Sequence, residues 1–132
     1  MFSIPRAARL KALSRYALRG AIVGCLALAA AGKTMGAESA RGSLGWMFLP
    51  VLLAEALAVG LLLCGRDRGG ALLSGAIGVG GWVVSYASPR KPCACLGAWI
   101  TLSPAAHAAL AAGLAMASSI LLVLSRRSIP RR

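Results

Sequence analysis

Two cysteines separated by one residue, Cys93 and Cys95, are the residues of this sequence best suited to covalent chemistry. A disulfide between cysteines this close closes a small ring with poor geometry, and a strained, exposed disulfide exchanges more readily than a structural one. Arg90 and Lys91 precede the pair, and nearby positive charge favours the thiolate, which is the attacking form. The spacing therefore predicts a redox pair that exchanges disulfides with a partner protein.

Two other interpretations of the cysteine pair stay open. The pair can form a static disulfide, or it can bind a metal together with His107, the lone histidine of the chain. Two thiolates and one imidazole suit zinc, but no fourth ligand is apparent, so we predict no metal site. His107 lies on an alanine-rich face, where it either supports the thiols or serves as an interface histidine with a satisfied hydrogen bond.

The composition indicates an integral membrane protein with one small domain. Hydrophobic residues make up 58% of the 132 residues and charged residues 14%, and a soluble chain this short cannot bury so much apolar surface. The net charge of +12 does not indicate a nucleic-acid partner. The basic residues lie outside the apolar runs and have no interleaved aromatic residues, as expected for topology signals next to a lipid bilayer.

Four apolar segments predict an all-α, polytopic membrane protein whose four transmembrane helices form an antiparallel bundle, because a spanning helix needs about 20 apolar residues. The segments cover residues 16–31, 46–64, 71–87 and 104–124. We therefore divide the chain into a basic segment (1–15), a transmembrane domain (16–125) and a basic tail (126–132). Ser103 and Pro104 are typical of the start of a helix.

The first apolar segment has an alternative interpretation as a signal peptide. Residues 22–25 (Ile-Val-Gly-Cys) resemble a lipoprotein cleavage box. Arg19 interrupts the apolar stretch before that box, however, and the apolar run continues to Ala31. We therefore expect a retained helix.

Lysine and arginine predict the orientation, because cytoplasmic loops carry an excess of both. With four spans, eleven basic residues fall on the side of the termini, and four fall on the other side: Lys33, Arg41, Arg90 and Lys91. Both termini are then cytoplasmic, in the inner (plasma) membrane. The loop with Cys93 and Cys95 faces the periplasm or its equivalent, where thiols can be oxidised. Cys25 falls in mid-membrane and Cys64 at the inner end of a helix, so we expect neither to pair with the loop.

Glu55 lies near the centre of the second apolar segment. An ionisable group at that depth costs about 2.5 kcal/mol or more on insertion scales, so it should face the bundle interior with a partner or a proton. Lys33 and His107 are the candidate partners. Glu55 either contributes to a proton path, a quinone pocket or the redox site, or it only joins two helices by a hydrogen bond.

Small residues recur in the third apolar segment at intervals that place them on one helical face: Gly70, Ser74 and Gly78, with Ala71 and Gly75 beside them. Such a face lets the backbone of a neighbouring helix approach closely. We predict a packing surface there.

Several motifs, taken in order, resemble the MauE group of the DoxX-like four-helix membrane proteins. They are "AAAGKTM" at the end of the first segment, "LPVLLAEALAVGLLLCGRDR" along the second and "CACLG" before the last. The resemblance covers about residues 16–125, and its matching positions are Gly32, Lys33, Pro50, Glu55, Gly60, Cys93, Cys95 and Gly97. The chain departs from the group at Leu96, where phenylalanine is usual, and near His107, where an arginine commonly opens the last helix.

The resemblance implies a function in disulfide formation or transport during methylamine utilisation. Members of the group are associated with a thioredoxin-like periplasmic partner and with maturation of a disulfide-rich periplasmic amine dehydrogenase. Net oxidation of such a substrate needs an electron acceptor, for which membrane quinone is the plausible choice, although no motif defines a quinone site. The alternatives are a non-catalytic assembly factor that recruits a thioredoxin-like protein, or a small transporter subunit with Glu55 as its coupling carboxylate.

Overall fold

The computed structural model describes residues 6–87 and 102–126, and every regular element longer than one residue in these ranges is helical. The helices are α1 (Arg6–Met35), α2 (Ala37–Leu44), α3 (Phe48–Leu63), α4 (Asp67–Ala87) and α5 (Pro104–Arg126), with a single 3-10 turn at Gly45–Met47. Four helical segments are long and apolar enough to cross a membrane: α1, α4, α5, and α3 together with the 3-10 turn that precedes it (Gly45–Leu63). The predicted all-α fold with four spans is confirmed. Cys93 and Cys95 lie outside the described residues.

The four long helices form an antiparallel ring. α4 packs most extensively on α5, α3 packs on α4, and α1 closes the ring by contacting α3 and α5. We call the end of the bundle where α1 begins and α5 ends the basic end, because it carries Arg15, Arg19, Arg66, Arg68 and Arg126. The other end, where α1 ends and α5 begins, is the opposite end.

The outside of the bundle is apolar and much of its inside is polar. Large aliphatic side chains on all four long helices are exposed, among them Leu28, Leu53, Leu72, Val79 and Ile120. Within residues 6–87 and 102–126, the buried polar and charged side chains are Lys33, Glu55, Asp67, Ser74, His107, Ser118 and Ser125. Lipid tails solvate the aliphatic surface as well as a protein core would, whereas polar groups must find partners inside the bundle. The bundle is therefore built for a bilayer.

Glycines allow α4 to approach its neighbours closely, as the sequence predicted. A Cβ atom on Gly78 would lie 2.8 Å from the carbonyl oxygen of Ala111 and 2.9 Å from the backbone nitrogen of Ala115. A Cβ atom on Gly70 would collide with the side chain of Leu62 on α3. Small residues at these positions thus set the distances from α4 to both of its neighbours.

Two helix termini have well-defined caps. The hairpin between α3 and α4 turns at Gly65, whose φ of +79° suits glycine. There, Arg66 N donates to Leu61 O at 2.9 Å and Gly65 N to Leu62 O at 3.1 Å, which is the Schellman pattern. α5 begins at Pro104, and Ser103 Oγ accepts from Ala106 N at 3.2 Å, which confirms the predicted N-cap.

Helix boundaries depart from the apolar segments mainly around α1. α1 runs from Arg6 to Met35, well beyond residues 16–31 at both ends, and the connection between the first two apolar segments, residues 32–45, contains α2. The added residues of α1 are rich in alanine, arginine, lysine and leucine, which are strong helix formers that hydropathy alone does not detect. α1 therefore extends past the apolar part of the bundle at the basic end.

Candidate functional site

Lys33 and Glu55 form a buried ion pair between α1 and α3. Lys33 Nζ donates to Glu55 Oε1 at 2.6 Å, and the two residues are only 1% and 3% exposed. Lys33 is near the end of α1, but a helical side chain leans towards the N-terminus of its own helix, so its long stem runs back into the bundle. The predictions that Glu55 faces the interior and that Lys33 is its partner are confirmed.

The pair leaves one acceptor unsatisfied. Glu55 Oε2 is buried and has no hydrogen-bond partner among residues 6–87 and 102–126. A buried ion pair contributes little net stability, since desolvation of both charges opposes their attraction, but removing one partner strands the other charge. Chemically, Oε2 is the atom of this pair that can accept a proton or a hydrogen bond.

His107 bonds to α4 and not to Glu55. It lies in the first turn of α5, is 5% exposed, and its Nδ1 forms a short hydrogen bond with the Ser85 hydroxyl. Ser85 Oγ also donates to Gly81 O at 2.8 Å. Of the two partners predicted for Glu55, His107 is therefore the wrong one.

The Ser85–His107 bond joins the last turn of α4 to the first turn of α5. These two turns flank the 88–103 connection, which contains Cys93 and Cys95. The connection thus begins and ends at two helix termini that are fixed to each other at the opposite end of the bundle. The described residues do not show what chemistry the cysteines perform. They do show that the connection carrying the cysteines is attached at the opposite end of the bundle.

A second charged cluster, at the basic end, was not predicted. Asp67 Oδ2 accepts from Arg15 Nη2 at 2.5 Å, and Arg19 Nη1 lies 3.8 Å from Asp67 Oδ1. Arg19 Nη2 also donates to Leu63 O at the end of α3, at 2.8 Å. Asp67 is one of only three acidic residues, which was the available signal. It was overlooked because residues 65–70 were interpreted as a connection, whereas Asp67 is the first residue of α4.

The remaining polar groups hold helices together. Ser74 Oγ on α4 and Ser118 Oγ on α5 lie 2.8 Å apart in the interior. Cys25 is half-buried, Cys64 is exposed at the end of α3, and both are free thiols. Within the part of the chain that the structure describes, no three histidine, cysteine or acidic side chains are grouped as metal ligands.

No family model, curated protein or solved structure matches the chain. The geometry of the bundle and the motifs of the sequence are therefore the observations from which a function can be argued.

Proposed function

We propose that this protein is an inner-membrane protein of the MauE type that exchanges disulfides with periplasmic partners through Cys93 and Cys95. The observation that carries the proposal is the Ser85–His107 bond, which fixes the two helix ends on either side of the 88–103 connection. Both ends of the connection are thereby held at the same end of the bundle, and we propose that the reactive pair meets its partner there.

The charge distribution supports an outward position for the cysteines. Among the described residues, the basic end carries Arg6, Arg9, Lys11, Arg15, Arg19, Arg66, Arg68 and Arg126. On the opposite end, Lys33 is buried against Glu55 and its charge is neutralised. The basic residues are thus concentrated on the side of the termini, and such an excess favours the cytoplasm.

The proposed exchange transfers two electrons between two pairs of sulfur atoms. A partner thiolate attacks one sulfur of the Cys93–Cys95 disulfide, which forms a mixed disulfide and releases the other sulfur as a thiolate. The second thiolate of the partner then attacks its own mixed-disulfide sulfur, so the partner leaves oxidised and the Cys pair leaves reduced. The reverse sequence reduces the partner, and the relative reduction potentials decide the direction.

The resemblance supports a thioredoxin-like periplasmic protein as the direct partner and a disulfide-rich periplasmic protein, such as an amine dehydrogenase in methylamine utilisation, as the final substrate. Exchange itself needs no further reagent. Repeated net oxidation needs an acceptor that removes two electrons from the reduced Cys pair, and membrane quinone is the acceptor class available in the bilayer. Lys33, Glu55 and His107 are proposed as supporting residues that hold the helices below the cysteine connection.

Thiol labelling tests the position of the cysteines. In a Cys25→Ser, Cys64→Ser variant, Cys93 and Cys95 are the only remaining thiols. We expect a membrane-impermeant maleimide to label them on intact cells after mild reduction, because the connection faces outward. The matched control is the Cys93→Ser, Cys95→Ser variant, whose exposed Cys64 lies at the basic end and should react only after permeabilisation. Labelling in the reverse order would contradict the proposed orientation.

A trapped adduct tests the exchange. In the Cys25→Ser, Cys64→Ser background, we expect Cys95→Ser or Cys93→Ser to accumulate a disulfide-linked complex with a periplasmic partner, because the resolving thiol is missing. Non-reducing gels followed by mass spectrometry would identify the partner, and reductant should release it. The variant lacking all four cysteines is the control. If neither single-cysteine variant forms an adduct, exchange through this pair is contradicted.

Two alternatives predict different outcomes in the same strains. An assembly factor that only recruits a thioredoxin-like protein predicts no adduct and normal maturation of the substrate. A transporter subunit predicts that Glu55→Gln abolishes function while adduct formation persists, and the buried Glu55 is the observation that favours testing it.

A further inference from the structure

A cavity of about 180 Å³ opens at the basic end of the bundle, and the cysteine connection is attached at the opposite end. Its lining is made of residues from α1 and from the α3–α4 turn: Ala12, Arg15, Tyr16, Arg19, Gly65 and Asp67. These residues lie where α1, α3 and α4 end or begin, which is the depth at which phospholipid headgroups meet a transmembrane bundle. The cavity therefore combines charged side chains with access from the membrane interface.

Asp67 lines this cavity and has an unsatisfied acceptor. Its side chain is 8% exposed, and Oδ2 accepts from Arg15. Oδ1 is buried without a hydrogen bond among the described residues, and Arg19 Nη1 is 3.8 Å from it, which is too far for a hydrogen bond. A buried carboxylate oxygen without a donor is costly. The missing component of this site is thus a group that carries N–H or O–H.

Arg15 and Arg19 add an anion-binding face to the same cavity. Their side chains are 32% and 23% exposed, so both guanidinium groups are partly accessible. Each guanidinium has five N–H donors in a planar fork that fits phosphate oxygens. Arg19 uses one nitrogen for Leu63 O. A ligand that fits must place a phosphate close to a donor-bearing cation.

We propose that this cavity binds the headgroup of phosphatidylethanolamine, whose ammonium donates to Asp67 Oδ1 while its phosphate accepts from Arg15 and Arg19. The site is independent of the thiol chemistry proposed above. Basic pockets between transmembrane helices are known to hold lipid headgroups, and Asp67 is what adds selectivity here. Phosphatidylcholine carries the same phosphate and the same positive charge, but its quaternary nitrogen has no hydrogen to donate. Phosphatidylglycerol offers only hydroxyl donors and brings a net negative charge towards a carboxylate.

The proposal is tested by competition between lipids of identical acyl chains. Full-length protein in mild detergent is mixed with equimolar phosphatidylethanolamine, phosphatidylcholine and phosphatidylglycerol, and bound lipids are counted by native mass spectrometry. We expect phosphatidylethanolamine adducts to exceed phosphatidylcholine adducts about tenfold, the ratio that one charge-assisted hydrogen bond supplies. Equal adducts, or a preference for phosphatidylglycerol, would overturn the proposal.

Variants separate the two halves of the headgroup. Asp67→Asn should equalise phosphatidylethanolamine and phosphatidylcholine, while Arg19→Gln should weaken both, because the phosphate contact is common to them. Arg68→Gln is the matched control, since Arg68 is an exposed arginine next to Asp67 that does not line the cavity, and it should behave like the unmodified protein. A preference that persists in Asp67→Asn would contradict the assignment of the ammonium to Asp67.

Two further experiments use the unmodified protein, so their results do not depend on whether a variant folds. Mono-, di- and trimethylated phosphatidylethanolamine, tested on the unmodified protein, should bind until the last N–H is lost at the trimethyl step. A gradual decline in binding as the headgroup becomes larger would contradict a hydrogen bond to Asp67.

Water-soluble glycerophosphoethanolamine carries the same headgroup chemistry, and at the lipid's concentration it should not displace phosphatidylethanolamine. Displacement would assign the site to a soluble ligand and overturn the lipid assignment.

Discussion

Replacing Glu55 with leucine is expected to lower the free energy of unfolding by about 3 to 5 kcal/mol, the usual cost of removing one partner of a buried ion pair. The reason is that the Lys33 ammonium, 1% exposed, would stay inside the bundle without a counter-charge. The measurement is an unfolding titration with a denaturing detergent in mild-detergent micelles. Glu38→Leu is the control, because Glu38 is an exposed acidic residue and such a change should shift stability by no more than about 0.5 kcal/mol.

The double variant Lys33→Met, Glu55→Leu should recover most of the loss. An apolar pair of similar volume avoids the desolvation of two charges, so it is often as stable as the ion pair that it replaces. A double variant as unstable as Glu55→Leu alone would contradict the conclusion that the two charges stabilise each other. If the double variant is stable but no longer supports maturation of the substrate protein, the Lys33–Glu55 pair takes part in the proposed disulfide exchange.

Replacing Gly78 with alanine is expected to destabilise the bundle by about 1 to 3 kcal/mol, as overpacking of a close-packed interior does. The added Cβ would lie 2.8 Å from Ala111 O and 2.9 Å from Ala115 N. Both are backbone atoms of α5 that cannot rotate away, so α4 and α5 must separate. The separation would also stretch the Ser74–Ser118 contact one turn away, now 2.8 Å. Thermal unfolding in detergent measures the effect.

Gly80→Ala on the same helix is the matched control. A Cβ there would meet no atom within 4 Å, and alanine is the better helix former by about 1 kcal/mol. We therefore expect Gly80→Ala to leave the melting temperature unchanged or to raise it slightly, whereas Gly78→Ala should lower it. If the two variants have the same melting temperature, then close approach at Gly78 does not determine the packing of α4 on α5.

Hydropathy was sufficient to predict the four spans, because every helix that crosses the lipid needs about 20 apolar residues. It was insufficient for α2 and for the outer parts of α1, since those residues need no apolar character to be helical. Gly70 and Gly78 could be recognised as packing positions from their spacing. Which helix each one meets could not be deduced, because the order of helices around the ring does not follow from spacing within one helix.

The Lys33–Glu55 pair was predictable, because few partners are available to a charged side chain deep in the membrane. Glu55 had to face inward, and Lys33 was among few cations able to reach it. His107 was expected near the cysteine pair, near Glu55 or in a helix interface, and Ser85 was not recognised as its partner because serine is common and carries no charge. Asp67 was missed through a helix boundary set four residues late, since its pairing with Arg15 depends on α4 beginning at Asp67.

The position of Lys33 has a consequence for biosynthesis. Its counter-ion follows 22 residues later in the chain, so α1 is synthesised and reaches the translocon while that ammonium is still unneutralised. At a synthesis rate of about 5 to 20 residues per second, the wait lasts about one to four seconds. The first helix is therefore expected to remain at the lateral gate until α3 emerges, and the two should enter the lipid together as one unit.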